Sequence, residues 1–242
     1  MRGTQQSNHL LHTPDAFMRT RFPGMKDACA IVHISPAFGA AFTQYTVELE
    51  SGGEIGIALG QRFLYVTDGS VLVHTEGKEH HLAPRGYVLF PQGTSHRISS
   101  EEKSRAIVIE KACIPNSLAG VAVVIVGSED NILSTSLGGD PGLQMKCLLP
   151  ANPALDFAVN TMTYHPGAAL KRVQIQEMEH GLAVLEGGGI YRLSEAWYRV
   201  TAGDFVWAGP WCPQWFGAIG KVPAKHLVFK NYSRNPMAGI QR

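Results

Sequence analysis

Cysteine is scarce in this 242-residue chain, which has only Cys29, Cys113, Cys147 and Cys212, none of them in a CxxC pair. That spacing argues against a disulfide framework and suits free, partly buried thiols in a reducing compartment. Charge excess is missing too, with 21 Lys plus Arg against 20 Asp plus Glu. The balance gives no electrostatic reason to expect nucleic acid or an anionic membrane surface as partner. Long apolar runs are absent: Val121 to Val126 is too short to span a bilayer, and the segment Met1 to Ser7 has no signal-like apolar core. A cytoplasmic protein with no membrane contact is the expectation. No long stretch carries helical periodicity.

What is present is strand signal. Short segments rich in Val, Ile, Phe and Tyr alternate with Gly, Pro and Asp, as in Gln61 to Val66 followed by Asp68-Gly69. An all-β sandwich or barrel follows. The halves also repeat each other. Phe42 and Gly52 match Phe157 and Gly167; Gly69 matches Gly187, Gly86 matches Gly203, His96 falls where Gln214 falls, and Lys111 where Lys230 falls. Long-period self-similarity of this kind indicates two copies of one β domain. The expected division is residues 1–126, a linker at 127–142 rich in Gly, Ser and Asp, and residues 143–242.

The second copy contains Gln174-Ile175-Gln176-Glu177-Met178-Glu179-His180-Gly181. If this run is extended, Gln174, Gln176 and His180 face one way, Arg172 shares their parity, and Glu177 and Glu179 face the other way unless a bulge turns one inward. His74, His80 and His81 straddle the turn-like Glu76-Gly77-Lys78 and are expected on solvated strand ends. Trp207, Trp211 and Trp215 are expected to line and cap the second barrel.

In the first copy, Gly86, four residues, then Pro91-Gln92-Gly93-Thr94-Ser95-His96 matches the second motif of cupins, small antiparallel jelly-roll barrels. The slot for its first-motif ligand holds Arg62, which cannot ligate a metal, so this copy is expected to hold none. An anion site facing Arg62 and His96 is the remaining reading there. Across nearly the whole chain from about Met25, the sequence resembles the (S)-ureidoglycine aminohydrolases, bicupins of purine (allantoin) breakdown. The resemblance rests on Glu179-His180-Gly181, the segments Leu185 to Leu193, Trp197 to Val200, Gly203-Asp204 and Pro213-Gln214-Trp215, and Asn231-Tyr232-Ser233-Arg234-Asn235-Pro236.

That resemblance implies a homo-oligomer of two jelly-roll barrels with a manganese ion in the second, held by a Glu, two His and a Gln. Those slots fall on Gln174, Gln176, His180 and Gln214, so glutamine replaces both the Glu and the first His. It also implies substrate contacts at Tyr191, His226 (where Tyr is usual) and Lys230. Lys230 and Gln174 occupy the catalytic positions, although an amide at 174 cannot take a proton as the family's Glu can. With Arg172 and Lys230 but no carboxylate, the cavity is expected to be positive. The implied reaction is hydrolysis of (S)-ureidoglycine to (S)-ureidoglycolate and ammonia. One alternative is a metal-free cupin that binds a small organic anion without turnover. Another is a related enzyme acting on a different ureido or amino acid substrate.

Overall fold

The computed structural model describes residues 2–58, 60–114 and 120–232. The motif residues Ser233-Arg234-Asn235-Pro236 lie outside them. The chain is nearly all strand and falls into two compact units.

One unit comprises Phe17–Cys113 and Gly120–Ile132. Its antiparallel strands run in the order Ile125–Ser128, Gly86–Phe90, Gln61–Asp68, Ser104–Lys111, Thr43–Ile55, His96–Ser99, Val71–Thr75 and Lys78–Leu82. Lys26–Ile34 also pairs with Thr43–Ile55. The long strand Thr43–Ile55 pairs with Ser104–Lys111 through Leu49 and with His96–Ser99 only at its far end. It bends between these partners at Gly52, whose φ of +79° suits glycine, and at Gly53, where a Cβ would lie 2.7 Å from the Asp27 carbonyl oxygen. Alternate residues Leu64, Val66, Val47, Leu49, Val88, Phe90, Ala106 and Val108 point inward and form one core cluster.

The other unit contains residues up to Ala16 and everything described from Leu133 onward. Its larger sheet runs Thr4–Gln5, His9–His12, Phe205–Ala208, His180–Glu186, Ala224–Asn231, Phe157–Tyr164, Leu143–Cys147 and Thr135–Ser136. A second sheet orders Ala196–Thr201, Gly188–Leu193 and Gln214–Ala218. Leu182, Val184, Val206, Val228 and Tyr164 from the first sheet meet Tyr191, Leu193, Val200 and Phe216 from the second. Each Val or Leu buried this way contributes about 2 kcal/mol of transfer free energy, so the inward pattern fixes the register.

The structure divides the chain differently from a boundary at residue 126. Residues 9–12 pair with Phe205–Ala208, so the N-terminal segment adds a strand to the C-terminal barrel. Arg2 ties it down with two 2.9 Å hydrogen bonds to the buried carboxylate of Asp204. Of the expected linker, residues up to Ile132 group with the first barrel and those from Leu133 with the second.

The repeat is visible in the backbone. Gly69 and Gly187 both have φ of +64°, and a Cβ would meet a carbonyl oxygen at 2.4 Å (Lys103) and 2.3 Å (Pro223). Seven residues before each glycine stand Arg62 and His180. Arg62 pairs across the sheet with Phe90 and Glu110; His180 pairs with Ala208 and Lys230. Glu110, not Lys111, is therefore the counterpart of Lys230. Small insertions had hidden the one-residue offset.

Candidate functional site

In the C-terminal barrel, the inward face of His180–Glu186 presents His180, Leu182 and Val184 in turn, and Ala224–Asn231 presents Ala224, His226, Val228 and Lys230. His180 and Lys230 are direct cross-strand neighbours at one end of the barrel. Gln214 opens the strand Gln214–Ala218 from the other sheet, on the same face as Phe216. Its side chain spans two site residues. The Tyr191 hydroxyl donates to Gln214 Oε1 at 2.9 Å, and Gln214 Nε2 donates to His180 Nδ1 at 3.1 Å. His180, Gln214 and Tyr191 are all buried.

The run before His180 is not a strand. Only Gln174 makes a bridge, with Gln214, through two backbone hydrogen bonds of 2.8 Å. Gln176 Nε2 donates to Gln174 Oε1 at 2.9 Å, and the Gln176 carbonyl accepts from Trp211 N at 2.7 Å. Gln174 and Gln176 thus reach the rim as a hydrogen-bonded pair. The parity expectation fails for Arg172, which is exposed on a bend. Without β pleating between residues 171 and 179, nothing holds it to the inward side.

The neighbouring acids are accounted for. Glu177 is exposed. Glu179 is buried, but its carboxylate accepts from the Trp207 indole at 3.0 Å and the Asn231 amide at 2.8 Å. Trp207 lies between the inward Val206 and Ala208, so Glu179 is held on the opposite face of the sheet. The tryptophans expected to pack around the barrel divide three ways. Trp207 faces away, Trp215 packs at the edge of the core with its indole on the Leu170 carbonyl, and Trp211 is 65% exposed.

Burial sets the electrostatics. His180 is pushed down to about 3, first by desolvation and then by the nearby Lys230 ammonium. Desolvation also lowers Lys230 and raises Tyr191. Among the described residues Lys230 makes no ion pair with a carboxylate and no hydrogen bond, and the nearby Cys147 thiol partly offsets the desolvation. His226 is deeper and fully enclosed by Tyr164, Tyr191 and Phe216, with ring centroids 5.4, 6.5 and 4.4 Å away. Desolvation pushes it down to about 3, and its Nε2 has no hydrogen-bond partner in the described structure. It is a floor residue rather than a rim residue.

A manganese ion does not suit this donor set. The hard dication favours carboxylate oxygen, and neither Glu177 nor Glu179 turns one to the mouth. Gln214 is occupied with Tyr191 and His180, and Gln174 Oε1 accepts from Gln176. One imidazole and spare amide oxygens remain. Among the described residues no group of three His, Cys, Asp or Glu could hold a metal.

Sequence reasoning missed His9. It shares its face with the core residue Leu11 and pairs with Ala208, which in turn pairs with His180. Its ring bonds Tyr198 Oη at 2.9 Å and Asn8 Oδ1 at 2.8 Å. Nothing local in Asn8-His9-Leu10 signals a place in a barrel more than 150 residues away.

The corresponding end of the N-terminal barrel is closed. Arg62 donates to Glu110 Oε1 through Nε at 2.9 Å and lies 2.8 Å from it through Nη2, while Nη1 donates to His96 Nε2 at 3.0 Å. Tyr45 Oη donates to the same Glu110 oxygen at 2.7 Å, and Phe90 stacks on His96 at 3.8 Å. Arg62 is neutralised, which removes the argument for an anion there. His74, His80 and His81 lie on the hairpin strands Val71–Thr75 and Lys78–Leu82, flanking a turn with Glu76 and Gly77 at positive φ.

Comparison with known proteins agrees with this architecture. The model of the Cupin domain matches residues 45–110 and 160–230. The chain is 31% identical over 240 residues to a probable (S)-ureidoglycine aminohydrolase of Oryza sativa subsp. japonica, covering 98% of this chain and 77% of that protein. It is 30% identical over 239 residues to the (S)-ureidoglycine aminohydrolase of Arabidopsis thaliana, covering 98% and 80%. The crystal structure of protein Ylba from E. coli superposes with a TM-score of 0.86 at 24% identity, covering 97% of this chain and 96% of that one.

Proposed function

The chain belongs to the (S)-ureidoglycine aminohydrolase family of two-barrel cupins, and from that premise we propose that its C-terminal barrel mouth binds a small ureido carboxylate and hydrolyses its C–N bond. The substrate proposed is (S)-ureidoglycine, giving (S)-ureidoglycolate and ammonia. The observation that carries the reading is Lys230. A half-buried ammonium that makes no ion pair with a carboxylate among the described residues is matched to a substrate carboxylate. The Gln174–Gln176 amide pair, bridged to Gln214, offers both donors and acceptors, as a ureido group requires.

The Tyr191–Gln214–His180 chain handles the proton. In the setting observed, Gln214 donates to Nδ1 and the ring hydrogen sits on Nε2. Turning the Gln214 amide over reverses both hydrogen bonds, puts the hydrogen on Nδ1 and frees the Nε2 lone pair. With Nε2 free, His180 accepts the hydrogen bond of the attacking water and passes its proton on to the departing amine, since burial disfavours a lasting imidazolium. The amine leaves with the electron pair of its C–N bond and takes up a proton, and water completes the new C–O bond. Gln174 sits in the family's catalytic slot but serves here only by orienting the ureido group.

Ammonia release from synthetic (S)-ureidoglycine, measured against the spontaneous rate, tests the reading; release no faster than background refutes it. A cytoplasmic homo-oligomer is part of the same proposal, and light scattering of the purified chain checks its assembly.

A further inference from the structure

We infer that the C-terminal barrel of this chain keeps no resident divalent cation and receives its carboxylate ligand directly on Lys230. The second half rests on the ureido carboxylate reading above; the first does not. Three independent arrangements point this way. The slots that would supply an anionic ligand and a first imidazole hold Gln174 and Gln176, which are hydrogen-bonded to each other at 2.9 Å. Gln214 does not turn its amide oxygen to the cavity but uses it to accept from Tyr191, and its nitrogen holds His180. The two acids on the same run are out of reach, Glu177 in solvent and Glu179 locked on the far face by Trp207 and Asn231.

What remains at the mouth favours negative charge. Lys230 makes no ion pair with a carboxylate among the described residues, and Gln174 Nε2 donates to none of them. A dication placed here would meet the ammonium with no carboxylate between them. A carboxylate would meet an ammonium and an amide donor. The same end of the barrel can hold one or the other, and the side chains present are those of an anion receptor.

The test uses the full chain, expressed with manganese supplied and purified without chelator. Elemental analysis is expected to find fewer than about one metal ion per ten chains. Calorimetry with N-carbamoylglycine, a stable ureido carboxylate, is expected to give the same Kd before and after dialysis against EDTA. Lys230→Met is expected to weaken that binding at least about tenfold, the loss of one charge-assisted hydrogen bond. The double variant Gln174→Glu with Gln176→His is expected to gain about one manganese per chain.

Near-stoichiometric metal in the unaltered protein, or binding abolished by EDTA, overturns the inference. If ammonia release proves manganese-dependent, the functional reading stands and this inference falls. If metal-free protein binds N-carbamoylglycine through Lys230 but releases no ammonia from ureidoglycine, the inference stands and the hydrolase reading falls. No binding in either form overturns the carboxylate half.

Discussion

The two barrels solve the same position in opposite ways. At the N-terminal mouth, Arg62 faces Glu110 across the strand pair and also binds His96, with Tyr45 closing on the same carboxylate. Opposite charges cancel and the polar atoms find partners. At the C-terminal mouth, His180 faces Lys230 and binds Gln214, which Tyr191 holds. The bond between the two motifs survives almost unchanged, 3.0 Å from Arg62 to His96 and 3.1 Å from Gln214 to His180. The acid does not. Where the first barrel has Glu110, the second has a cation without an acid among the described residues. A filled mouth stabilises its own barrel; an unfilled one leaves charge available to a ligand.

Acid should separate the barrels most strongly. His180 and His226 are held near 3 in the fold against about 6.5 unfolded, so the unfolded chain binds their protons first. Stability is therefore intact above about pH 6.5 and is lost as pH falls toward 3, by roughly 1.4 kcal/mol per pH unit for each histidine. All four tryptophans lie in the C-terminal barrel, so their fluorescence in urea melts at pH 7 and 5 reads this barrel alone. His226→Phe should reduce the pH slope by roughly 1.4 kcal/mol per pH unit. An unchanged slope would mean that His226 is not held neutral.

Arg62→Met is next. It leaves Glu110 and His96 without their shared partner, and because Glu110 is partly exposed we expect about 3 kcal/mol of destabilisation by circular dichroism in urea. The same chemical change at the other mouth should have the opposite sign. Lys230→Met removes a desolvated cation and should stabilise the tryptophan-bearing barrel by about 1 kcal/mol. A destabilised variant would show that Lys230 is paired. The smallest effect should be Arg2→Ala, about 1 kcal/mol or less by tryptophan fluorescence. It removes an ion pair to buried Asp204, which also accepts from Thr201 N, but Arg2 itself is partly exposed.

How far the site could be read from the chain varies residue by residue. His180, Gln214, Tyr191 and Lys230 were singled out by the resemblance, and the structure sets all four on regular strands, where pleating fixes which way they point. Arg172 was not legible, since parity means nothing in the irregular segment before His180. The repeat was legible through its glycines, while the match of Lys111 to Lys230 slipped by one, and a slip of one in a strand exchanges inside for outside. His226 carried a substrate role on position alone; the structure puts it behind three aromatic rings. His9 gave no local signal, because its barrel address comes from pairing with a strand far along the chain.

Residue order alone determined the two-barrel architecture, and it is the resemblance to the aminohydrolases that implies a carboxylate and an imidazole where this chain has Gln174 and Gln176. The architecture follows from glycine conformation and apolar alternation, which are local properties. Only the tertiary structure decided whether another acid could make good the loss. That question turns on where Glu177 and Glu179 point, and on whether Lys230 or Glu110 stands across from the first-motif residue. Cross-strand register and the packing of Trp207 and Asn231 answer it, because a side chain's partner across a sheet is set by strands that are neighbours only after folding.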